Sequence, residues 1–281
     1  MTSSTTARAR SRRLRVRRAH ATPWPRRLRA IRRRLGWLLT APLAVWVVAV
    51  ALAVLALWSA VNWMYQVLRK PTELFFPVSG ALSKTPPETW RQYGPLFREH
   101  STRVITPELL AALAQVEGAG NPVARTYWRW RLRWNPFEVY QPASSAVGMF
   151  QITDATFREA RRYCIHDHVV VEEGRWDDPR ACWFNALYTR VVPSHAVELT
   201  AALLDRHVAR ALQRRGVVAS ARQQQDLAAV IHLCGVGGGD LYVQRGFRLV
   251  PGQRCGDHEV ARYLAQVNGL KLQFLRLAAT G

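Results

Sequence analysis

Glu117 is the residue of this chain that is best placed for acid–base chemistry. It follows Leu110, Leu113 and Ala114 at the spacing i, i+3, i+4, i+7, so these four residues lie on one stripe of a predicted helix. A carboxylate on an apolar stripe faces a core or a cleft, and both the apolar surroundings and the helix C-terminus favour its neutral form. A protonated carboxylic acid can donate its proton to the leaving oxygen of a glycosidic bond. The spacing therefore predicts a carboxylic acid that can act as a general acid.

A second carboxylate is the next requirement of most glycosidases, at about 5–5.5 Å or about 6.5–9.5 Å from the first. Glu138 and Asp154 are the nearest candidates in the sequence. Asp154 is expected at a helix start, in "TDATF", and Glu138 is expected to face solvent or pair with an arginine. The sequence thus offers one good acid and no good partner, and one acid is enough only when the nucleophile belongs to the substrate.

The elements that position Glu117 are predicted to be helices. Thr106, Pro107 and Glu108 form an N-cap, a first-turn proline and a first-turn acid, and Gly118 begins the segment that ends the helix. Gly216 in "QRRG" is expected to stop a later helix. A cap followed by proline predicts a short helix at about 85–101. Apolar residues recur at helical spacing at about 154–164, 194–214, 222–234 and 257–277. The fold class is therefore predicted to be mainly α.

The N-terminal segment concentrates positive charge. The chain of 281 residues has a formal net charge of +21, and thirteen arginines lie from Arg8 to Arg34, with no acidic residue in 1–35. Such a tail either binds nucleic acid or anionic lipid, or fixes the orientation of a membrane protein.

An uncharged run from Leu35 to Leu68 favours the orientation signal. About 20 apolar residues span a bilayer, and this run is longer, so it predicts a transmembrane helix rather than a signal-peptide core. Trp58, Trp63 and Tyr65 are typical of an interfacial aromatic belt at its far end. Because positive charge stays inside, the tail is expected in the cytoplasm and the chain after about residue 66 outside it. Residues 67–85 contain Pro, Gly and Ser without periodicity and predict a tether or a packed connecting strand.

The four cysteines all follow the predicted membrane span, on the side where disulfides form and persist. Pairing between sequence neighbours is predicted, which joins Cys164 to Cys182 and Cys234 to Cys255. The alternative is a metal site at Cys164, His166 and His168, although this spacing matches no standard zinc pattern.

An aromatic and arginine-rich segment, "RTYWRWRLRWNPFEVYQPASS", follows the Glu117 helix. Its rings and guanidinium groups suit three roles: stacking on sugar faces, a small satellite core, or an interfacial patch against the membrane. Aromatic rings among arginines also suit single-stranded nucleic acid, but the expected location outside the cytoplasm argues against that role.

Four segments of the chain form a set: "ITPELLAALAQVEGAGNPVA", "SSAVGMFQITDATF", "VIHLCG" and "EVARYL". Together they resemble the soluble-lytic-transglycosylase-like domain of bacterial cell-wall enzymes over about residues 86–277. The segment "ITPELLAALAQVEGAGNPVA" carries the family's catalytic acid at Glu117, and "SSAVGMFQITDATF" carries its Gly-Leu-Met-Gln segment. The segments "VIHLCG" and "EVARYL" correspond to two later family motifs. Gly118 stands where the family usually has Ser, so one polar contact at the cleft is expected to be missing. His232-Leu233 stand where the family has Tyr-Asn, which puts substrate contacts there in question.

The resemblance implies a lysozyme-like helical domain after one transmembrane helix. It also implies a lytic transglycosylase that cleaves the MurNAc–GlcNAc bond of peptidoglycan without water and forms a 1,6-anhydro product. Glu117 would be the acid and then the base, with no cofactor and no metal. The residues expected to contact substrate are Ser145, Met149, Phe150, Gln151, His232 and Tyr263. A lysozyme-like hydrolase of the same fold and a glycan-binding scaffold without catalysis are the alternatives.

The predicted organisation is a basic cytoplasmic tail (1–35), a transmembrane helix (36–66), a linker (67–85) and the catalytic domain (86–281). Its location would be the inner membrane, with the domain in the periplasm or outside the cell. The expected partners are peptidoglycan strands, the membrane and a machinery of the cell envelope, with no nucleic acid.

Overall fold

The computed structural model describes residues 42–172, 174, 177–178 and 181–280, so the arginine-rich tail lies outside the described residues. The described part contains eight α-helices and three two-stranded antiparallel hairpins, which confirms the predicted mainly-α class. The helices are α1 (Leu43–Arg69), α2 (Phe76–Ser79), α3 (Pro86–Glu99), α4 (Pro107–Gly118), α5 (Asp154–Ala160), α6 (Pro193–Arg215), α7 (Ala221–Gln244) and α8 (Val260–Thr280). The hairpins pair β1 (Trp128–Trp130) with β2 (Tyr140–Pro142), β3 (Tyr163–His166) with β4 (Val169–Glu172), and β5 (Arg254–Cys255) with β6 (His258–Glu259).

The chain divides into two compact units, residues 1–59 and 60–281. Most of α1 belongs to the first unit, and its last ten residues belong to the second. Helix α1 has 27 residues, and its most apolar stretch has a mean hydropathy of 2.5, so it is long and apolar enough to cross a membrane.

Helix α4 forms the centre of the second unit. Its residues from Leu109 to Ala114 are fully buried on every side, as expected for a helix that is apolar all round. It packs chiefly against α8 and α3. The predicted start is confirmed, because the Thr106 hydroxyl accepts a hydrogen bond from the Leu109 N–H and Pro107 is the first helical residue.

The C-terminus of α4 follows a tight left-handed turn. Ala119 has φ 48° and ψ 41°, its N–H donates to the Gln115 carbonyl at 3.1 Å, and the Gly120 N–H donates to the Ala114 carbonyl at 3.0 Å. The bond from Ala119 to Gln115 is that of the αL motif, in which the residue after the helix is left-handed. The Lys84 N–H donates to the Ala119 carbonyl at 2.8 Å, so the segment before α3 holds the turn in place.

The predicted helix at about 154–164 is wrong in its second half. Helix α5 ends at Ala160, and Tyr163 begins β3, which pairs with the β-branched strand β4. Asp167 and His168 both have positive φ, as a two-residue hairpin turn of type I′ requires. Two residues that favour this turn, and the valines that follow, therefore override the helical periodicity.

Both predicted disulfides are confirmed. Cys164 bonds to Cys182 and Cys234 bonds to Cys255. The first bond joins β3 to the 3₁₀ helix at Cys182–Leu187, and the second joins α7 to β5. The sulfur of the alternative metal site, Cys164, is thus already bonded.

The segment predicted as a linker forms short helices, at Pro71–Phe75, Phe76–Ser79 and Gly80–Leu82, where the sequence favoured a tether or a strand. Glu73 in this segment is fully buried. Its carboxylate accepts hydrogen bonds from Arg125 at 2.8 Å and from the Trp128 indole at 2.9 Å, and the Lys70 ammonium lies 3.4 Å away. A buried ion cluster therefore ties this segment to the domain.

The end of α4 gives a prediction on stability. Ala119→Gly should raise the free energy of unfolding by about 0.5–1 kcal/mol, because glycine adopts the left-handed region without the penalty that a Cβ brings. Urea unfolding of the detergent-solubilised protein measures this difference.

The matched control is Gly216, which ends α6 at φ 60° with open space around the missing Cβ. Gly216→Ala should lower the free energy of unfolding by about 1 kcal/mol, because alanine brings a Cβ into the left-handed region. Two changes of the same sign would contradict the conformational explanation.

Candidate active site

A cleft of about 530 Å³ lies where the C-terminus of α4 meets α5, α6 and α7. Glu117 lines it, together with the loop that leads into α5. One side of α6 contributes Leu199, Leu203 and Leu204, so the cleft combines an apolar wall with a few polar groups. This is the usual composition of a site for a small molecule or a short polymer segment.

Glu117 has one direct side-chain partner at short range. The Tyr263 hydroxyl donates to its Oε1 atom at 2.6 Å, and the His232 Nε2 atom lies 3.7 Å from the same oxygen. The Glu117 side chain is 18% exposed, so it is partly shielded and still open to the cleft. Tyr263 and His232 therefore both approach one oxygen, Oε1.

Tyr263 stays protonated over a wide pH range. Burial raises the pKa of its phenol well above the ordinary value, and the charge of Glu117 and the hydrogen bond to Glu117 act in the same direction. A phenol that remains neutral is a constant hydrogen-bond donor, so Tyr263 orients the Glu117 carboxyl group.

Helix α7 breaks next to His232. Gly235 has φ 73° and ψ 179°, a backbone conformation that only glycine adopts easily, and both Leu233 and Gly235 line the cleft. The break lies at the end of "VIHLCG", the third of the four sequence motifs. His232 belongs to the helical part before the break, and Val236 after it also lines the cleft.

The disulfide Cys234–Cys255 links this break to the segment that leads to Tyr263. Cys255 belongs to the hairpin β5–β6, and α8, which carries Tyr263, follows that hairpin directly. His258 of β6 lines the cleft and packs edge-on against the Tyr263 ring, with 6.4 Å between the ring centres. One covalent bond thus connects the segments that carry His232 and Tyr263.

The loop "GMFQ" is held together by its own backbone and by Gln151. Gly148 has φ 80°, and a Cβ there would overlap the Arg190 carbonyl. The Gln151 amide donates to the Gly148 carbonyl at 2.9 Å and to the Ala124 carbonyl at 3.2 Å. Gln151 therefore closes the loop and also lines the cleft.

Arg190 fixes the entry to α5. It donates to the carbonyls of Ser145 at 2.8 Å and Ile152 at 3.0 Å, and it pairs with the Asp154 carboxylate at 2.7 Å. Asp154 is the first residue of α5, as predicted, and its charge is engaged by this arginine.

The surroundings of residue 118 explain why this chain has glycine where the family usually has serine. A Cβ at this position would lie 2.8 Å from the Cα of Met149 and 3.0 Å from its carbonyl oxygen. Real Cβ atoms essentially never approach backbone so closely, so the serine that usually follows the catalytic acid does not fit here.

The carboxylates considered as second acids lie elsewhere. Glu138 pairs with Arg69 at 2.9 Å, and among the described residues neither Glu138 nor Asp154 lines the cleft. The cleft does contain a second carboxylate that the sequence analysis missed, Glu159, which lies 2.8 Å from the Nε2 atom of the buried His207.

The predicted substrate-contact residues occupy different positions. Phe150, Gln151 and His232 line the cleft, and Tyr263 contacts Glu117. Met149 is fully buried, and Ser145 accepts a hydrogen bond from the Asp154 N–H at 3.2 Å; neither is part of the described lining. Substrate contacts at all six positions stay predictions.

A signal for His207 was present in the sequence. His207 follows Leu199, Leu203 and Leu204 on one face of α6, the same pattern of a polar residue on an apolar stripe that drew attention to Glu117. Glu159 and His258 had no comparable signal, because Glu159 lies in a charged segment and His258 in a short hairpin.

Residues 95–221 match the family model of the transglycosylase SLT domain. The chain contains an SLT domain. The matched range includes Glu117 and the loop from Gly148 to Gln151, and the domain is lysozyme-like. His232 and Tyr263 follow the matched range. No curated protein and no solved structure matches the chain significantly.

The close approach at Gly118 gives a prediction. Gly118→Ser should lower the free energy of unfolding by about 1–3 kcal/mol and reduce any activity at Glu117, because the Met149 backbone must move away from the new Cβ. Gly237→Ser is the control, since the space around Gly237 is open. Unfolding curves and cleavage assays on both variants measure the difference, and equal behaviour of the two would contradict the steric argument.

Tyr263→Phe should reduce activity by about tenfold or more, because the Glu117 carboxyl group loses the hydrogen bond that orients it. It should also change the response to alkali. Above about pH 10 an unfolded tyrosine loses its proton while the buried Tyr263 keeps it, so folding stability falls by about 1.4 kcal/mol per pH unit for this group.

The variant lacks this ionisation, so its stability relative to the native protein should improve as the pH rises above 10. Urea unfolding at pH 7, 10 and 11 measures the trend. A stability difference that is independent of pH would show that Tyr263 titrates normally.

Proposed function

We propose that this protein is a membrane-anchored lytic transglycosylase that cleaves the MurNAc–GlcNAc β-1,4 bond of peptidoglycan. SLT domains generally act on peptidoglycan in this way. The observation that carries the proposal is Glu117, which faces the cleft of an SLT domain and accepts a hydrogen bond from Tyr263.

The geometry supports a sequence of two proton transfers through Glu117. Tyr263 donates to Oε1, which leaves Oε2 as the oxygen that carries the transferable proton. Glu117 gives this proton to the glycosidic oxygen as the bond to the anomeric carbon breaks. The 6-hydroxyl of the muramic acid residue then bonds to that carbon and returns its proton to Glu117. The products are a new sugar end and a 1,6-anhydro ring, and no water is consumed.

A single acid suits this chemistry. Glu138 and Asp154 are engaged by Arg69 and Arg190, and both lie away from the cleft lining among the described residues. Glu159 reaches the cleft but is held by His207 at 2.8 Å. We assign Glu159 to the shape and charge of the cleft and not to the reaction.

A hydrolase is the second candidate, and Glu159 is the observation that favours it. An inverting glycosidase needs a base that activates water opposite the acid, and Glu159 is the other carboxylate of the described cleft. The mass of the products separates the two reactions, because the anhydro product is one water lighter than the hydrolysed product. A scaffold without catalysis would release neither product from purified peptidoglycan.

We also infer an orientation in the membrane. The apolar helix α1 would cross the inner membrane, with the arginine-rich tail in the cytoplasm and the SLT domain on the other side. The two disulfides are consistent with an oxidising compartment. In this location the domain reaches peptidoglycan strands and can serve a machinery that crosses the cell envelope.

Glu117→Gln is the decisive variant. It keeps the size of the side chain and removes the transferable proton, so release of anhydro fragments from purified peptidoglycan should fall by about 10²–10⁴-fold. Liquid chromatography with mass detection measures the products, and circular dichroism melts establish that the variant is folded.

The controls are Glu138→Gln, Asp154→Asn and Glu159→Gln, which should each keep most of the activity. A folded Glu117→Gln protein with near-normal turnover would refute the mechanism. A large loss in Glu159→Gln together with products that contain the extra water would establish the hydrolase instead.

A further inference from the structure

The hairpin β1–β2 ends in an exposed tip formed by residues 131–134, which we call the hairpin tip. Leu132 and Trp134 are fully exposed, at 101% and 105% of their reference areas. Two large apolar side chains without any packing partner are costly in water, so the tip is not a satellite core. Further back in the hairpin the Tyr140 ring does contact the rings of Trp128 and Trp130, although Trp130 is itself 66% exposed.

The charges of the hairpin tip are all positive. Arg131 and Arg133 alternate with the two apolar residues, and neither forms an ion pair within the described part of the chain. Residues 118–137 contain no acidic side chain. Apolar side chains among unpaired cations are typical of surfaces that enter the headgroup layer of anionic bilayers.

The hairpin also lies against the last turns of α1. The Asn62 amide donates to the Tyr140 carbonyl at 2.9 Å, and the Gln66 amide donates to the Phe137 carbonyl at 2.6 Å. Asn62 and Gln66 are both buried by these contacts. This part of α1 carries Trp63, which belongs to the aromatic belt expected at the depth of the lipid headgroups. The hairpin is therefore fixed to the portion of α1 that leaves the bilayer.

The position of the hairpin relative to the cleft argues against a glycan-binding role for the hairpin tip. None of the residues 125–144, all of which the structure describes, lines the cleft. Only the base of the hairpin approaches it, where the Tyr127 hydroxyl contacts Asp257, the residue before His258.

We propose that the hairpin tip inserts into the headgroup layer of the anionic membrane that α1 crosses. Leu132 and Trp134 enter the interface, and Arg131 and Arg133 bind lipid phosphates. The contact rests on the proposed membrane anchoring, and it gives the domain a second attachment to the bilayer beside the helix.

The experiment uses the full chain with Leu132 replaced by Cys and labelled with a polarity-sensitive fluorophore. All four native cysteines are in disulfides, so the new thiol is the one that reacts. Val218→Cys is the matched control, because Val218 is 97% exposed and lies in the connection between α6 and α7. Both proteins are reconstituted into vesicles of phosphatidylcholine and phosphatidylglycerol that contain a lipid with a spin label near the headgroup.

The label at position 132 should shift to shorter wavelength relative to detergent and be quenched by the spin-labelled lipid, and the label at 218 should show neither effect. Adding Arg131→Gln and Arg133→Gln, or omitting phosphatidylglycerol, should weaken the quenching at 132. Equal responses at 132 and 218 would refute the contact. A label at 132 that responds to soluble peptidoglycan fragments and not to vesicles would show a glycan-binding surface instead.

Flotation of the full chain with vesicles after alkaline extraction separates the proposed membrane anchor from the proposed lipid contact of the hairpin tip. A chain that does not float refutes the anchor and the lipid contact together. A chain that floats with an unquenched label at 132 refutes the lipid contact alone.

Discussion

The contact between the Gly118 and Met149 backbones is the constraint on which the cleft depends. It brings the end of α4 against the loop before α5 with no space for a side chain between them. The left-handed turn at Ala119 ends the helix at this point, so Glu117 stays on the last turn and faces the cleft. The acid is therefore positioned by two backbones in direct contact, and a site of this kind has little freedom to adapt to a larger residue at 118.

The parts of the fold that were predictable from the sequence have local causes. The cap at Thr106, the stop at Gly216 and the apolar stripe that ends in Glu117 each depend on residues within two turns of one helix. The disulfides were predictable for a similar reason, because each joins cysteines that are about 20 positions apart in the sequence. The interpretation of Gly118 as a missing polar contact was incomplete, since the reason for glycine lies 31 positions away at Met149.

The features that sequence reasoning did not find depend on contacts between distant segments. The β3–β4 hairpin replaced a helical periodicity because a two-residue turn and strand pairing together outweigh it. The pair of Glu159 and His207 joins α5 to α6 across 48 positions, and no sequence pattern in either helix predicts this contact. The buried state of Glu73 is of the same kind, because a Pro-, Gly- and Ser-containing segment gives no sign that an arginine and a tryptophan more than 50 positions later enclose its carboxylate.

The cluster around Glu73 has a consequence for where the domain can be cut from its helix. A truncation at residue 86 would follow the family resemblance, but it would remove Glu73 and with it the carboxylate that lies 2.8 Å from the partly buried Arg125. Removing one partner of a buried ion pair costs about 3–5 kcal/mol, which is a large part of the stability of an ordinary domain. It would also remove Asn62 and Gln66, which occupy two carbonyl groups of the β1–β2 hairpin. A fragment that keeps all of these contacts starts near Ala60, and a protease that cuts after Glu73 and before residue 86 would release a domain that has lost them and is less stable.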